Sequence, residues 1–343
     1  MRVLETMNSL TRNQPEPHAT GTLRVGPMQL RWPLVRGVVL TVAIALLAPM
    51  FLSGADLSLL STAAIYALFA LSTLVLFGWM GLGTFGQAAF FGTGAYAAAL
   101  IKNQPLDPVL VLLISGAVST LMALVIGILV RKTSGRQFAI LTLALAQVLY
   151  QVTFTFRSVL QGDNGIFGIF PHPILGFNLI SETHFWWYSM AITGLLALLL
   201  YGLKNSQLGR SLNAVRDDPL KAAALGVSVG VSRLAAFVAA GFIAGVAGAL
   251  FVQQQSGASP TLLSPALSGS VIFMVLIGGM SSMWGPVLGA TIYTVLTLRL
   301  FQSSSTATIW IGLLLLAVVV GFKGGVVGIA RRATHLMRAR WVN

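Results

Sequence analysis

Residues 204–233 read KNSQLGRSLNAVRDDPLKAAALGVSVGVSR, a polar island between the apolar runs at 185–203 and 234–253. Unpaired polar groups in hydrocarbon cost several kcal/mol each, so the island stands in water while its neighbours stand in lipid. It also carries helix punctuation. Asp218 suits an N-cap, Pro219 suits the first helical position, and residues 220–225 are helix formers. Gly226 is the expected stop, because glycine accepts the left-handed conformation that closes a helix. A capped helix displayed in water between lipid-soluble segments reads as a surface for another protein to hold.

The rest of the chain agrees with this setting. Of its 343 residues 56% are hydrophobic and 8% charged, against about 25% charged in a soluble domain. The composition predicts an all-α fold, a polytopic transmembrane helical bundle whose solvent is the lipid bilayer. A net charge of +13 would suggest nucleic acid in a soluble protein, but here basic residues are expected in cytoplasmic loops and no nucleic-acid partner is implied. With no cysteine, disulfides, thiolate metal sites and cysteine nucleophiles are excluded. Residues 1–36 carry five arginines before the first apolar run, unlike the short charged region of a signal peptide, so no cleavage is expected.

Apolar runs fall at about 37–54, 57–77, 83–101, 109–130, 138–156, 185–203, 234–253, 268–280, 285–300 and 307–322. They predict about 10 membrane segments, although the eighth and ninth are short for crossings that need about 20 residues. With the N-terminus inside, 18 of the 21 basic residues fall on the inner side, which places both termini and the 204–233 loop in the cytoplasm. Lys102, Arg157 and Arg299 remain outside with Asp56, Asp107, Asp163 and Glu182, Arg299 snorkelling to the headgroups. The expected organisation is a cytoplasmic tail at 1–36, a transmembrane domain at 37–325 and a basic cytoplasmic tail at 326–343.

The third run is glycine-rich, GWMGLGTFGQAAFFGTGAY from Gly78 to Tyr96. Such density serves either close helix packing or an unwound backbone lining a cavity. Gly81, Thr84, Gly86 and Gln87 are the candidate pathway residues, since Thr84 and Gln87 can hydrogen-bond a polar solute without charge. The outer segment 157–183 reads as loop, with QGDNG at 161–165 and PHP at 171–173. Trp186, Trp187 and Tyr188 follow it as an interfacial anchor.

Enzymatic chemistry is missing. His18, His172, His184 and His335 never cluster, and no paired carboxylates, HExxH or Ser–His–Asp set can be assembled, so no catalytic and no metal-ligating residue is assigned. No run carries an ionisable group at its centre, as an ion-coupled pump would, and no GxxxxGK[ST] loop is present. Work for solute movement would have to come from a partner, and the capped helix is the substantial docking surface between spans.

Four stretches resemble the LivM-type permease subunit of bacterial branched-chain amino acid ABC importers: GWMGLGTFGQAAFFGTGAYAAAL at 78–100, SGRQFAILTLALAQVLYQVTFTFRSVLQGDNGIFGI at 134–169, LGRSLNAVRDDPLKAAALGVSVGVSRLAAFVAAGFIAGVAGAL at 208–250 and SGSVIFMVLIGGMSSMWGPVLGA at 268–290. The resemblance implies a subunit of the bacterial inner membrane that works with a second, LivH-like permease, two cytoplasmic ATPases and a periplasmic substrate-binding protein. ATP and Mg²⁺ would bind the ATPases, with no cofactor on this chain. It makes Arg210, Arg216, Asp217, Asp218, Pro219, Lys221, Ala222 and Gly226 the ATPase-coupling set, and points Asp163, Asn164 and Gly165 of the outer loop towards the binding protein. Two departures stand out. The family's coupling motif is usually Glu-Ala-Ala, three variable residues, then Gly, and aligned on Gly226 this chain has Leu220, Lys221 and Ala222 in the first three places. Gln87 stands where many relatives have histidine, and Leu82 where many have glutamine. The expected solute is leucine, isoleucine or valine, with urea, short amides and other amino acids as alternatives. An ion-coupled secondary transporter and a membrane scaffold are the readings from other classes.

Overall fold

The computed structural model describes residues 51–300 apart from 175 and 281, together with Pro49, Gly325 and Gly328. The expected tenth span, the 1–36 tail, the 326–343 tail apart from Gly328 and most of the first span lie outside the described residues, and with them the sidedness of the termini. Helix α1 (Gly54–Leu74) continues as a π-helical turn, Val75–Trp79. It is followed by α2 (Gln87–Leu100), α3 (Pro108–Val130), α4 (Gly135–Thr155) and the one-turn α5 (Arg157–Leu160). Then come α6 (Glu182–Asn205), α7 (Gln207–Asp217), α8 (Pro219–Ala224) and α9 (Val229–Gln255). The described helices end with α10 (Pro265–Gly278) and α11 (Trp284–Val295), the last running into a second π-helical turn, Leu296–Leu300.

Five of these helices are long and apolar enough to cross a membrane: α1 with its π-turn, α3, α4, α6 and α9. Of their most apolar windows, 78% of α1 and 72% of α9 are buried, against 33% of α3 and 22% each of α4 and α6. Helices α1 and α9 are therefore the inner pair, and the other three present broad faces outward. The runs expected as the third and eighth spans are half-length. At about 1.5 Å per residue the 14 residues of α2 reach about 21 Å, short of a hydrocarbon core of about 30 Å. Helix α10, also of 14 residues, falls short in the same way. The missing length of the third span is the non-helical stretch 80–86.

Packing in lipid is driven by close backbone contact and interhelical hydrogen bonds, because lipid tails are as apolar as leucine. The α2–α9 contact shows both. A Cβ on Gly248 would strike the Phe91 carbonyl, and one on Gly94 would strike the Gly245 carbonyl, so the two backbones touch where side chains would hold them apart. Ser119 of α3 places its Oγ 2.8 Å from the carbonyls of Phe90 and of Gly241, tying three helices together at one hydroxyl. Phe91 fills the gap above this seam against Phe69, at 4.6 Å between ring centres, and Phe251, at 5.8 Å.

Contacts between distant segments respect the sides that the charges assign. Arg233 Nη1 donates to the carbonyls of Arg131 (3.2 Å) and Thr133 (3.0 Å), joining two inner segments. Lys102 Nζ donates to the Phe167 carbonyl at 2.7 Å, joining two outer ones. Arg299 forms an ion pair with Asp56, another of the charges expected outside.

The outer segment is more ordered than a loop. Beyond α5, Gln161 turns in the left-handed region at φ 59° into the 3₁₀ turn Gly162–Asn164. Strand β1 (Ile166–Phe167) then pairs antiparallel with β2 (Gly257–Ala258), pinning the segment across the end of α9. The aromatic trio behind it divides. Trp186 is 2% exposed and packs on Leu57, while Trp187 at 38% faces outward. Only Trp187 has the exposure that interfacial anchoring requires.

Candidate functional site

The island folds as two helices, α7 and α8, joined at Asp218, which ends the first and caps the second. Helix α7 was not expected, although its signals are present. Ser206 Oγ accepts from Gly209 N at 3.4 Å and donates to the Leu203 carbonyl at 2.7 Å, so one serine both stops α6 and starts α7. Leu208, Leu212 and Val215 recur at helical spacing, and Leu212 is fully buried in the membrane-domain core. The helix is thus plugged into the bundle by its apolar edge.

Helix α8 runs over Pro219–Ala224, starting at Pro219 behind the Asp218 cap as expected and ending one residue earlier than expected. Asp218 Oδ1 accepts from the backbone N–H of Leu220 (3.0 Å) and Lys221 (3.1 Å), and Oδ2 lies 3.2 Å from Lys221 Nζ. The Lys221 backbone N–H, the Lys221 ammonium and the Leu220 N–H hold this carboxyl below the usual aspartate range. At the other end Val227 N donates to the Ala222 carbonyl and Gly226 N to the Ala223 carbonyl, both at 3.0 Å. That pair is a Schellman closure, which requires the φ of +85° that Gly226 adopts. Ala222 is buried, whereas Leu220 and Leu225 are 83% and 84% exposed. Arg210 bonds the Asn205 carbonyl at 3.0 Å, a role within its own turn, and Lys221 stays beside Asp218.

Arg216 connects the island to the glycine run. Its Nη2 lies 3.0 Å from Asp217 Oδ1, and its Nη1 donates to the Gly78 carbonyl at 2.9 Å. Gly78 belongs to the last turn of the π-helical extension of α1, where carbonyls have no partner further along the helix and a cation is favoured. Gly81 stands at φ +69°, and a Cβ there would lie 2.6 Å from Arg216 Cγ. One member of each candidate set, Arg216 for coupling and Gly81 for pathway, is therefore in contact, through the aliphatic stem of the arginine.

The glycine run divides into a close-packed half and an unwound half. Gly92 and Gly94 lie in α2 and pack against Leu263 and Gly245, while residues 80–86 are unwound. Side-chain hydroxyls take up the unwound backbone. Thr142 Oγ1 accepts from Phe85 N (3.3 Å), Thr84 Oγ1 from Gly86 N (3.1 Å) and Ser268 Oγ from Ala88 N (3.0 Å). Gln87 begins α2 fully buried, with neither amide atom hydrogen-bonded. Thr84 is equally buried, so neither residue faces open solvent.

On the outer side Asp163 lies 3.8 Å from Arg157 with both side chains exposed, and Asn164 N donates to the Gln161 carbonyl. Gly165 sits at φ +66° under Ala258. One feature was missed altogether. Gln147, Gln151 and Thr155 stand one turn apart on an exposed face of α4, a helix apolar enough to cross the membrane. Their regular spacing of four residues was the available signal.

Comparison with known proteins bears on this arrangement. The family model described as "Branched-chain amino acid transport system / permease component" matches residues 57–323. The high-affinity branched-chain amino acid transport system permease protein LivM of Salmonella typhimurium is 28% identical over 277 residues, 74% of this chain and 65% of that one. LivM of Escherichia coli is 28% identical over 283 residues, 75% and 66% of the two chains. The ribose import permease protein RbsC of Haemophilus influenzae is 26% identical over 208 residues, 58% and 62%. The chain thus spans just under two thirds of the length of the curated LivM relatives. No solved structure matches. The family match takes in the broken third span, the α7–α8 pair and the half-length α10. With several helices able to cross a membrane, the chain is a multi-pass membrane protein that belongs to the branched-chain amino acid transport system permease family.

Proposed function

We propose that this chain is a permease subunit of an ATP-driven importer for branched-chain amino acids, in a bacterial inner membrane. Its partners in this reading are a second, LivH-like permease, two cytoplasmic ATPases that carry ATP and Mg²⁺, and a periplasmic binding protein met by the outer segment around Asp163, Asn164 and Gly165. The full subunit would have about ten spans with both termini in the cytoplasm.

The observation that carries the proposal is the bond from Arg216 to the Gly78 carbonyl. It makes the α7–α8 pair a lever. A partner gripping α8 moves α7, α7 moves Arg216, and Arg216 pulls on the turn from which the unwound 80–86 stretch departs. Displacing that stretch would uncover Thr84 and Gln87, which a resting state keeps sealed. Alternating access would then be a rigid-body motion biased by the nucleotide state of the partner.

The grip follows from what replaces the glutamate. Leu220 occupies that place and protrudes into water together with Leu225, so α8 offers two apolar knobs flanked by Lys221, a surface fit for a hydrophobic socket. The α4 stripe of Gln147 and Gln151 supports a shared pathway, because glutamine side chains facing hydrocarbon are costly and water or a second permease spares that cost.

The test is leucine uptake by vesicles holding this chain with the second permease and ATPases co-expressed from neighbouring reading frames, supplied with the binding protein. Uptake that requires ATP and all partners is expected. Uptake that persists without the ATPases and collapses with an ionophore would mean an ion-coupled transporter, and uptake of ribose but not leucine would refute the solute assignment.

A further inference from the structure

The turn between α3 and α4 reads RKTSGR from Arg131 to Arg136. Three cations fall in six residues, and no acidic residue occurs between Asp107 and Asp163. The carbonyls that would attract these cations are already taken. Thr133 donates to the Val130 carbonyl at the end of α3, from its N–H at 2.9 Å and its hydroxyl at 2.8 Å. Arg233, in the first turns of α9, donates to the carbonyls of Arg131 and Thr133. The orphan carbonyls that a helix end offers to a cation are thus served without the side chains of Arg131, Lys132 or Arg136.

No carboxylate neutralises those three side chains either. All are exposed, and among the described residues they make no ion pair and no side-chain hydrogen bond. The described carboxylates lie elsewhere, in the outer segments or, for Asp217 and Asp218, beside Arg216 and Lys221. The 204–233 island differs in this respect, since its Arg210, Arg216 and Lys221 each have a protein partner. What adjoins the free cations is apolar surface. Val125, Ile128 and Leu129 are exposed on the last turns of α3, as are Ile140 and Leu143 on the first turns of α4. Both helices are long and apolar enough to cross a membrane, so their junction stands where hydrocarbon gives way to headgroups. Ser134 makes no cap bond to α4, and the N–H groups of that first turn add to the positive field of the cations.

We propose that Arg131, Lys132 and Arg136 bind the phosphate headgroup of an anionic phospholipid whose acyl chains lie along Val125, Ile128 and Leu129 of α3. Unneutralised charge continuous with a lipid-facing apolar surface matches a molecule with an anionic head and hydrocarbon tails. A free phosphate would meet the charges and leave the apolar face unused. A zwitterionic lipid would bring a fourth cation to three others. The inference needs α3 and α4 to span the bilayer and is independent of the solute that the chain carries.

The test titrates the full chain, purified in a neutral detergent, with phosphatidylglycerol or phosphatidylcholine, and counts bound lipid by native mass spectrometry. At about fivefold per cation near an anionic surface, the three cations should favour phosphatidylglycerol roughly a hundredfold. Millimolar inorganic phosphate should not displace it. R131Q, K132Q and R136Q together should bring the two lipids level while leaving the thermal midpoint unchanged. R331Q, R332Q and R338Q remove the same net charge from the 326–343 tail and should leave the preference in place. An equal loss in the tail variant would mean a diffuse attraction and would overturn the site, as would an unaltered chain that binds both lipids alike. Displacement by phosphate would make the cluster a free-anion site, and release of the lipid by the co-expressed ATPases would give the face to a protein; either result contradicts the proposal.

Discussion

At the scale of single residues, Gly81 and Asp218 carry the most. Gly81 must hold a left-handed φ while the stem of Arg216 crosses it. Gly81→Ala is expected to cost about 1–2 kcal/mol from the backbone alone, more with the arginine displaced. A fall in the thermal midpoint of the purified chain checks it, and an unchanged midpoint would mean that the arginine does not lie there. Asp218 titrates below ordinary aspartate because Lys221 and Leu220 donate to its charged form. The cap is therefore fully present above the ordinary aspartate pKa of about 3.9 and is lost only as pH falls through the lower folded value. Carbon NMR of a selectively labelled carboxyl should place its midpoint below the unfolded value, and Asp218→Asn should keep α8 capped throughout. Both residues could be named from sequence, since an aspartate before proline and a glycine in a run have few other uses. That Arg216 reaches Gly78, 138 positions away in the chain, could not be, because no local pattern encodes a contact at that separation.

At the scale of elements, helices with an apolar period or a capped start were legible, and half-length ones were not. Apolarity marks where a segment is dry, and the 83–101 run is dry throughout whether helical or unwound, since Thr84, Thr142 and Ser268 satisfy the freed backbone. Helix α7 was hidden for the opposite reason. Its polar face dominates the composition, and only Leu208, Leu212 and Val215 betray the buried edge. Helix α8 makes a sharp prediction. Leu220→Asp and Leu225→Asp should abolish co-purification of the ATPases while leaving the fold intact, because both side chains stand in water. Retained ATPase binding would place the grip elsewhere. In contrast, Gly248→Leu should disrupt the α2–α9 seam against the Phe91 carbonyl and cost about 1–3 kcal/mol or more, read as lost monodisperse protein.

At the scale of the whole molecule, sidedness and work transfer are the questions. A cysteine at Asn164 should react with an impermeant thiol reagent added outside, and one at Ser228 only after the inner face is opened. The reverse pattern would invert the topology that charge bias assigns. In the proposed importer, Arg216 joins the α7–α8 pair that a partner would grip to the turn that precedes the unwound 80–86 stretch. The decisive measurement is leucine taken up per ATP hydrolysed in the reconstituted complex with Arg216→Gln. Assembly and ATP hydrolysis should persist while coupled uptake falls at least about tenfold, the loss of one charge-assisted hydrogen bond. Uptake per ATP equal to that of the unaltered chain would contradict a mechanical link through Arg216.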